Sequence, residues 1–161
     1  DNEVDFEWLE SWRRADAEHA LAHPTKGELD RRSLVEKVWE ATSGEDQLVL
    51  GASRLIREAD VWAPAKALRV FSNRGLAGID GTVATAAGIA LVATEGTTRV
   101  LLGDLTLLHD AGSLAVDSTE PEPNLQVIVG NDGGGRERDG GVGGGRGDDS
   151  DKHGDGYDDD G

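Results

Sequence analysis

Two residues in this sequence have the type and setting for metal chemistry. Asp104 follows the apolar run Arg99-Val100-Leu101-Leu102 and Gly103, and a helical pattern begins after it. Asn131 follows the run Leu125-Gln126-Val127-Ile128-Val129 and Gly130, 27 positions beyond Asp104. Asp132 and the glycines Gly133 to Gly135 come next. A carboxylate, an amide oxygen and an exposed backbone carbonyl are hard oxygen ligands, and with a diphosphate to complete the octahedron they suit Mg2+. A helix starting at Asp104 adds N-terminal N–H groups and a dipole that favours phosphate. The glycines after Asn131 let backbone approach a ligand with no Cβ in the way. Gly-Asp and Asn-Asp-Gly also make ordinary strand-end turns, and spacing alone leaves both readings open.

For the two residues to meet, they must end neighbouring parallel strands. Four short aliphatic runs close on Gly, Ser or Asn: Gln47-Leu48-Val49-Leu50, Leu68-Arg69-Val70-Phe71, and the two runs above. Helical stretches fall between them at 53–61, 82–93 and about 105–117. This β-α-β-α-β-α-β alternation predicts an α/β fold, a parallel sheet with helices on both faces. The ligand crevice of such a sheet forms in loops at the carboxyl ends of its strands. Those loops are Gly51-Ala52-Ser53, Ser72 to Thr82, Gly103 to Thr106, and Gly130 to Gly135. Two helices precede the first run. One spans Val4 to about Leu21 and stops at His23-Pro24, because the residue before proline avoids the α region. The other spans Glu28 to about Thr42 with an apolar stripe of Leu34, Val35, Val38 and Trp39. It is either part of a lead-in or the crossover into the first strand. No Gly-x-Gly-x-x-Gly follows that strand, which sets a dinucleotide-binding Rossmann domain aside. The four tryptophans are expected as packing anchors. His19 and His23 are expected on the surface without partners, and His109 as a packing or supporting residue behind the metal loop.

Composition narrows the function classes. The 161 residues include 16 basic and 32 acidic side chains, a net charge of −16, which argues against nucleic acid and anionic membrane as partners. No apolar run approaches the ~18 residues of a membrane span, and the expected compartment is the cytoplasm. Cysteine is absent, which excludes disulfides and thiolate metal sites. Methionine is absent too, so Asp1 is expected to follow processing, trimming or fragmentation. Residues 133–161 hold 12 of the 23 glycines and nine acidic residues, with Val142 and Tyr157 as their only large apolar side chains. Such a segment buries too little apolar surface to offset its ordering entropy, and disorder is expected there.

Gly103-Asp104-Leu105 with Asn131 is similar to the Gly-Asp-Gly…Asn signature of thiamine-diphosphate enzymes, with Leu105 at the second glycine and Asp132 where a second asparagine is common. The stretches Ser72-Asn73-Arg74-Gly75-Leu76-Ala77-Gly78-Ile79-Asp80-Gly81-Thr82, Gly103 to Asp110, and Asn131-Asp132-Gly133-Gly134-Gly135 sharpen the resemblance. Together they resemble the 2-succinyl-5-enolpyruvyl-6-hydroxy-3-cyclohexene-1-carboxylate synthases of menaquinone biosynthesis. The match covers about residues 28–135 and falls on that family's diphosphate-binding (PP) domain and the linker before it.

The resemblance implies a set of roles. Asp104, Asn131 and the Gly133 carbonyl would hold Mg2+, and Ile79, Gly103, Asp104, Leu105, Asn131 and Gly133 would bind thiamine diphosphate. Ser53, Arg57 and Arg74 match substrate-binding positions. The family's substrates, 2-oxoglutarate and isochorismate, are dianions, and guanidinium forks pair carboxylates well. The implied reaction is decarboxylation of 2-oxoglutarate and transfer of the succinyl-semialdehyde unit to isochorismate. No catalytic residue is assigned in this chain, because the activating glutamate of the family lies on a separate pyrimidine-binding domain. A homodimer or homotetramer is expected of the longer parent protein, and inactivity of this fragment alone. After Gly135 the sequence departs from the family pattern. The expected organisation is therefore a helical lead-in over 1–44, an incomplete thiamine-diphosphate- and Mg-binding domain over 45–135, and a disordered Gly/Asp-rich tail over 136–161. That tail is either native or the product of a shifted reading frame, and a sheet cut short there would expose an edge. Two alternatives stand beside this reading: a carboligase or decarboxylase of the acetolactate-synthase type, and a non-catalytic remnant that only associates with partner subunits.

Overall fold

A computed structural model describes residues 6–24, 29–73, 75–76 and 78–132. Its elements run α1 (Phe6–Ala22), α2 (Arg31–Ala41), β1 (Gln47–Leu50), α3 (Arg54–Trp62), β2 (Arg69–Phe71), α4 (Thr82–Val92), β3 (Thr98–Gly103), α5 (Asp104–Asp110), a 3-10 turn (Ala111–Leu114) and β4 (Leu125–Gly130). Among the described residues four strands form one sheet in the order β2-β1-β3-β4, and each neighbouring pair is parallel. The α/β fold expected from the alternation is the one observed.

The sheet's two faces explain the hydrophobic pattern. Alternate side chains of a strand point to opposite faces. Leu48, Leu50 and Leu101 pack with Val35 and Val38 of α2 and with Leu55 and Ala59 of α3. Val49, Val100 and Leu102 pack on the other face with Val83 and Ala86 of α4. All four β1 residues are buried, as befits a strand covered on both sides. Full burial of each of these leucines and valines contributes roughly 1.5–3 kcal/mol. The second helix thus contributes directly to the core. The β2 edge is different, since all three of its residues are exposed.

Local signals set the helix ends. Asp30 caps α2: its carboxylate accepts from the Ser33 backbone N–H at 2.7 Å, and Ser33 Oγ accepts from the Asp30 N–H at 2.8 Å. That reciprocal pair moves the start to Arg31 from the expected Glu28. α5 ends at Asp110, well short of the expected 117, and a 3-10 turn containing Gly112 follows. Asp110 is recruited there to cap a different helix, as described below.

At the amino ends of the strands sits a polar staple. Asp46, only 7% exposed, accepts from the backbone N–H groups of Ser43 at 2.7 Å and Thr97 at 2.8 Å. Arg99 Nη1 forms an ion pair at 2.7 Å with Asp46 Oδ2, the oxygen that also accepts from Ser43. Gln47 Oε1 accepts from the buried Thr98 hydroxyl at 3.0 Å beside it. These contacts join β1 to β3 across about half the described chain.

Helix α1 buries no residue. Trp8 and Trp12 are 60% and 61% exposed, with ring centroids 6.0 Å apart, so neither is the core anchor expected of it. Trp39 and Trp62 are half-buried, and Trp39 Nε1 donates to the Pro64 carbonyl at 2.9 Å. His19 and His23 do have a partner: their rings lie 4.9 and 5.9 Å from that of Trp62, His19 stacked and His23 tilted. Both were expected without one, because the contact joins residues about 40 positions apart and leaves no local trace. No helix among the described residues is long and apolar enough to cross a membrane. The tail expected over 136–161 lies outside the described residues.

Candidate cofactor and metal site

The strand order fixes where a ligand crevice opens. From β1 the chain passes through α3 to β2 on one side, while β3 and β4 lie on the other. α3 packs on one face of the sheet and α4 on the opposite face, where Leu107 of α5 also lies. The loops leaving β1 and β3 therefore part to opposite faces, and the gap between them is the switch point at which open α/β sheets bind ligands. The two strands approach closely there. Gly51 N–H donates to the Leu101 carbonyl at 2.8 Å, and a Cβ on Gly51 would stand 2.9 Å from Leu102 Cβ.

Four loops reach this end of the sheet, and each carries residues singled out in the sequence. Ser53 precedes α3 with extended backbone, and its hydroxyl makes no capping hydrogen bond to that helix. A Cβ on Gly103 would lie 3.8 Å from Ser53 Oγ, so the loops after β1 and β3 meet. Arg57 sits one turn further into α3, exposed to solvent.

Asp104 and Asn131 occupy matching places. β3 and β4 are parallel and in register through Gly103 and Gly130, their last residues. Asp104 and Asn131 are the next residues of their chains, at the same end of adjoining strands. Asp104 is half-buried at the start of α5, and its Oδ1 accepts from the Leu105 N–H at 2.8 Å. Leu105 and Asn131 are exposed. Gly133, the third expected donor, lies outside the described residues. Among those described, no group of three or more His, Asp or Glu side chains converges as a metal site. One carboxylate with one amide and one carbonyl is a donor set of another kind, and the two donors in view fit a hard cation.

The third loop folds back on itself. Ser72 Oγ donates to the Leu50 carbonyl at 2.9 Å, tying the end of β2 to that of β1. Asn73 Nδ2 donates to the Gly81 carbonyl at 3.3 Å and to Thr85 Oγ1 at 3.1 Å, tying Asn73 to the start of α4. Ile79 is half-buried within the loop, and its carbonyl accepts from Thr82 Oγ1 at 3.3 Å. Arg74 lies outside the described residues.

Three features of the site were not anticipated. Asp110, on α5, accepts from the N–H groups of Val83 and Ala84 at 2.6 and 3.0 Å and from Ser113 Oγ at 2.6 Å. It caps α4 from the helix that begins at Asp104, so the two loops are braced together. Burial pushes the Asp110 pKa up, but the bonds from Ser113, Ala84 and Val83 outweigh it and hold the carboxyl below its ordinary value. Asp132 is drawn to Arg31 at the start of α2, 2.5 Å away and 101 positions earlier, which fixes the exit of Asn131. His109, expected in a packing role, is exposed with Nδ1 3.3 Å from Asp80 Oδ1. The contacts of Asp110 with Val83 and Ala84 span 27 and 26 positions, and like the other two they needed the tertiary fold.

The fold and this end of it define an open parallel α/β domain with oxygen donors gathered beyond the ends of β3 and β4. No family profile matches the chain. Curated relatives are more specific. Over 134 residues, 79% of this chain, it is 55% identical to the 2-succinyl-5-enolpyruvyl-6-hydroxy-3-cyclohexene-1-carboxylate synthase of Clavibacter michiganensis subsp. michiganensis. It is 62% identical over 121 residues to the synthase of the same name from Leifsonia xyli subsp. xyli, and 49% identical over 136 residues to that of Paenarthrobacter aurescens. The matches cover 23%, 20% and 23% of those proteins, so the chain corresponds to about a fifth to a quarter of its relatives' length. Through that segment the chain is related to the 2-succinyl-5-enolpyruvyl-6-hydroxy-3-cyclohexene-1-carboxylate synthase family, as its motifs indicated. The relatives' names do not favour the acetolactate-synthase alternative.

Proposed function

We propose that this chain is the diphosphate- and metal-binding part of a thiamine-diphosphate-dependent synthase of menaquinone biosynthesis. In this reading Asp104, the Asn131 side chain and the Gly133 carbonyl hold Mg2+ against the cofactor diphosphate. Gly103 and Leu105 flank the metal carboxylate, and Ile79 presents an apolar side chain to the cofactor. Ser53, Arg57 and Arg74 bind the carboxylates of 2-oxoglutarate and isochorismate, which guanidinium groups pair bidentately. The bound cofactor supplies the carbanion chemistry of the decarboxylation, and the protein supplies orientation and electrostatics. The parent protein is a cytoplasmic homodimer or homotetramer in which another domain completes the site.

One observation carries the reading. The register pairing of Gly103 with Gly130 puts a carboxylate and an amide next to each other at the carboxyl end of a parallel sheet. The Ser53 hydroxyl beside Gly103 supports it, as does the helix that starts at Asp104.

Isothermal titration of the chain with thiamine diphosphate, with and without Mg2+, tests it. Mg2+-dependent heat that disappears in Asp104→Ala, with the circular dichroism of the variant unchanged, is the expected result. Absence of Mg2+-dependent heat, or heat indifferent to Asp104→Ala, would instead favour a remnant that only associates with partner subunits.

A further inference from the structure

The carboxyl end of α1 and the residue after it carry a second constellation, remote from the crevice and independent of the reading above. His19 lies in the last turn of α1 and His23 is the first residue beyond its end at Ala22. Their ring centroids are 4.5 Å apart with the planes tilted by 38°. His23 Nδ1 lies 2.9 Å from the His19 carbonyl oxygen. A carbonyl only accepts, so Nδ1 carries the proton and the lone pair of the neutral ring is left on Nε2. Metal-binding histidines are commonly fixed in this way, by donating the far ring N–H to a carbonyl or carboxylate.

The rings are also held in place from outside. Trp62 stacks on His19 at 4.9 Å and touches His23 at 5.9 Å. Trp62 is itself pinned, by Glu58 accepting from its Nε1 at 3.1 Å and by the Arg32 guanidinium 3.8 Å from its ring centre. Among the described residues in contact with this cluster, Arg32 carries a charge that opposes a cation. It is paired with Glu36 at 2.8 Å and donates to the His23 carbonyl. The carbonyl end of α1 lies alongside, and a helix C-terminus favours positive charge.

We propose that His19 and His23 form a two-imidazole site for a first-row divalent cation, with water completing the coordination. Imidazole nitrogen suits Ni2+ and Cu2+, and Ni2+ and Cu2+ stand near the top of the affinity order of the first-row divalent ions.

Titration of the full chain with NiCl2, followed by calorimetry, tests the proposal. One saturable site is expected, with His19→Ala and His23→Ala each weakening it at least about tenfold, because the second imidazole binds intramolecularly. α1 buries nothing in the core, so these variants leave the fold intact. The double variant Leu21→His/His23→Ala keeps the number of histidines but puts the pair on different faces, and it is expected to bind no better than His23→Ala. His153→Ala serves as the control and is expected to bind like the unaltered chain. The proposal is overturned if no saturable Ni2+ binding occurs, if either single variant binds unchanged, or if the respaced pair restores affinity.

Discussion

Replacing Asp46 by alanine removes three interactions at once. The Ser43 and Thr97 N–H groups lose their acceptor and the Arg99 guanidinium loses its counter-charge. Breaking one side of a buried ion pair costs about 3–5 kcal/mol, mostly because the surviving charge stays buried without compensation. The Arg99 side chain is 17% exposed, so water recovers part of that cost. We expect a loss of about 3 kcal/mol, a large share of the ~5–15 kcal/mol that holds a typical domain together. For a urea m-value of about 1.5 kcal/mol/M the midpoint then falls by roughly 2 M with m unchanged. Chemical denaturation followed by circular dichroism measures this. A midpoint shift below roughly 0.5 M would refute the claim that the staple is a principal tie between β1 and β3. The pH dependence supplies a second check. Burial acts to raise the Asp46 pKa, but the backbone N–H donors of Ser43 and Thr97 and the Arg99 side chain outweigh it and hold the carboxyl well below its ordinary 3.8. A depressed native pKa means the native state holds its proton less tightly than the unfolded chain does. The contribution is thus complete above about pH 4 and is lost as pH falls through the native value. Asp46→Asn should flatten the stability profile in that acid window.

Two further substitutions probe the crevice. Gly51→Ala would place a Cβ 2.9 Å from Leu102 Cβ and 3.2 Å from its Cα; overpacking of this kind is expected to cost about 1–3 kcal/mol, read as a lowered Tm. Asp110→Ala leaves the Val83 and Ala84 N–H groups without their acceptor and is expected to cost about 1–2 kcal/mol. Its signature is faster amide exchange at those two residues, with β1 and β3 protected as before.

The periodic parts of the fold were legible. β1 has the bounds its aliphatic run suggested; β2 starts one residue later, and β3 and β4 are extended by the buried Thr98 and by Gly103 and Gly130, which join the ladder without adding to the apolar run. The helices were legible where a stripe faced the core, and misjudged where capping intervened, as at Asp30 and Asp110. What the sequence withheld was the lateral order of the strands. Hydrophobic alternation says that a strand is buried on both sides, not which strand lies beside it. The proximity of Asp104 and Asn131 depended on β3 and β4 being neighbours, which their spacing permitted but did not require. The ties of Asp132 to Arg31, Asp46 to Arg99 and His19 to Trp62 were invisible for a related reason. Each joins charged or aromatic residues that are individually ordinary, and only the folded backbone brings them together.

The staple and the crevice lie at opposite ends of the same strands, with the aliphatic stretch of β1 and β3 between them. Cohesion and recognition are thereby assigned to separate sets of side chains. Loops beyond Leu50, Gly103 and Gly130 can exchange their polar residues while the Asp46 contacts keep the sheet's alignment. New specificity can thus arise at one margin of the sheet without renegotiating the fold at the other.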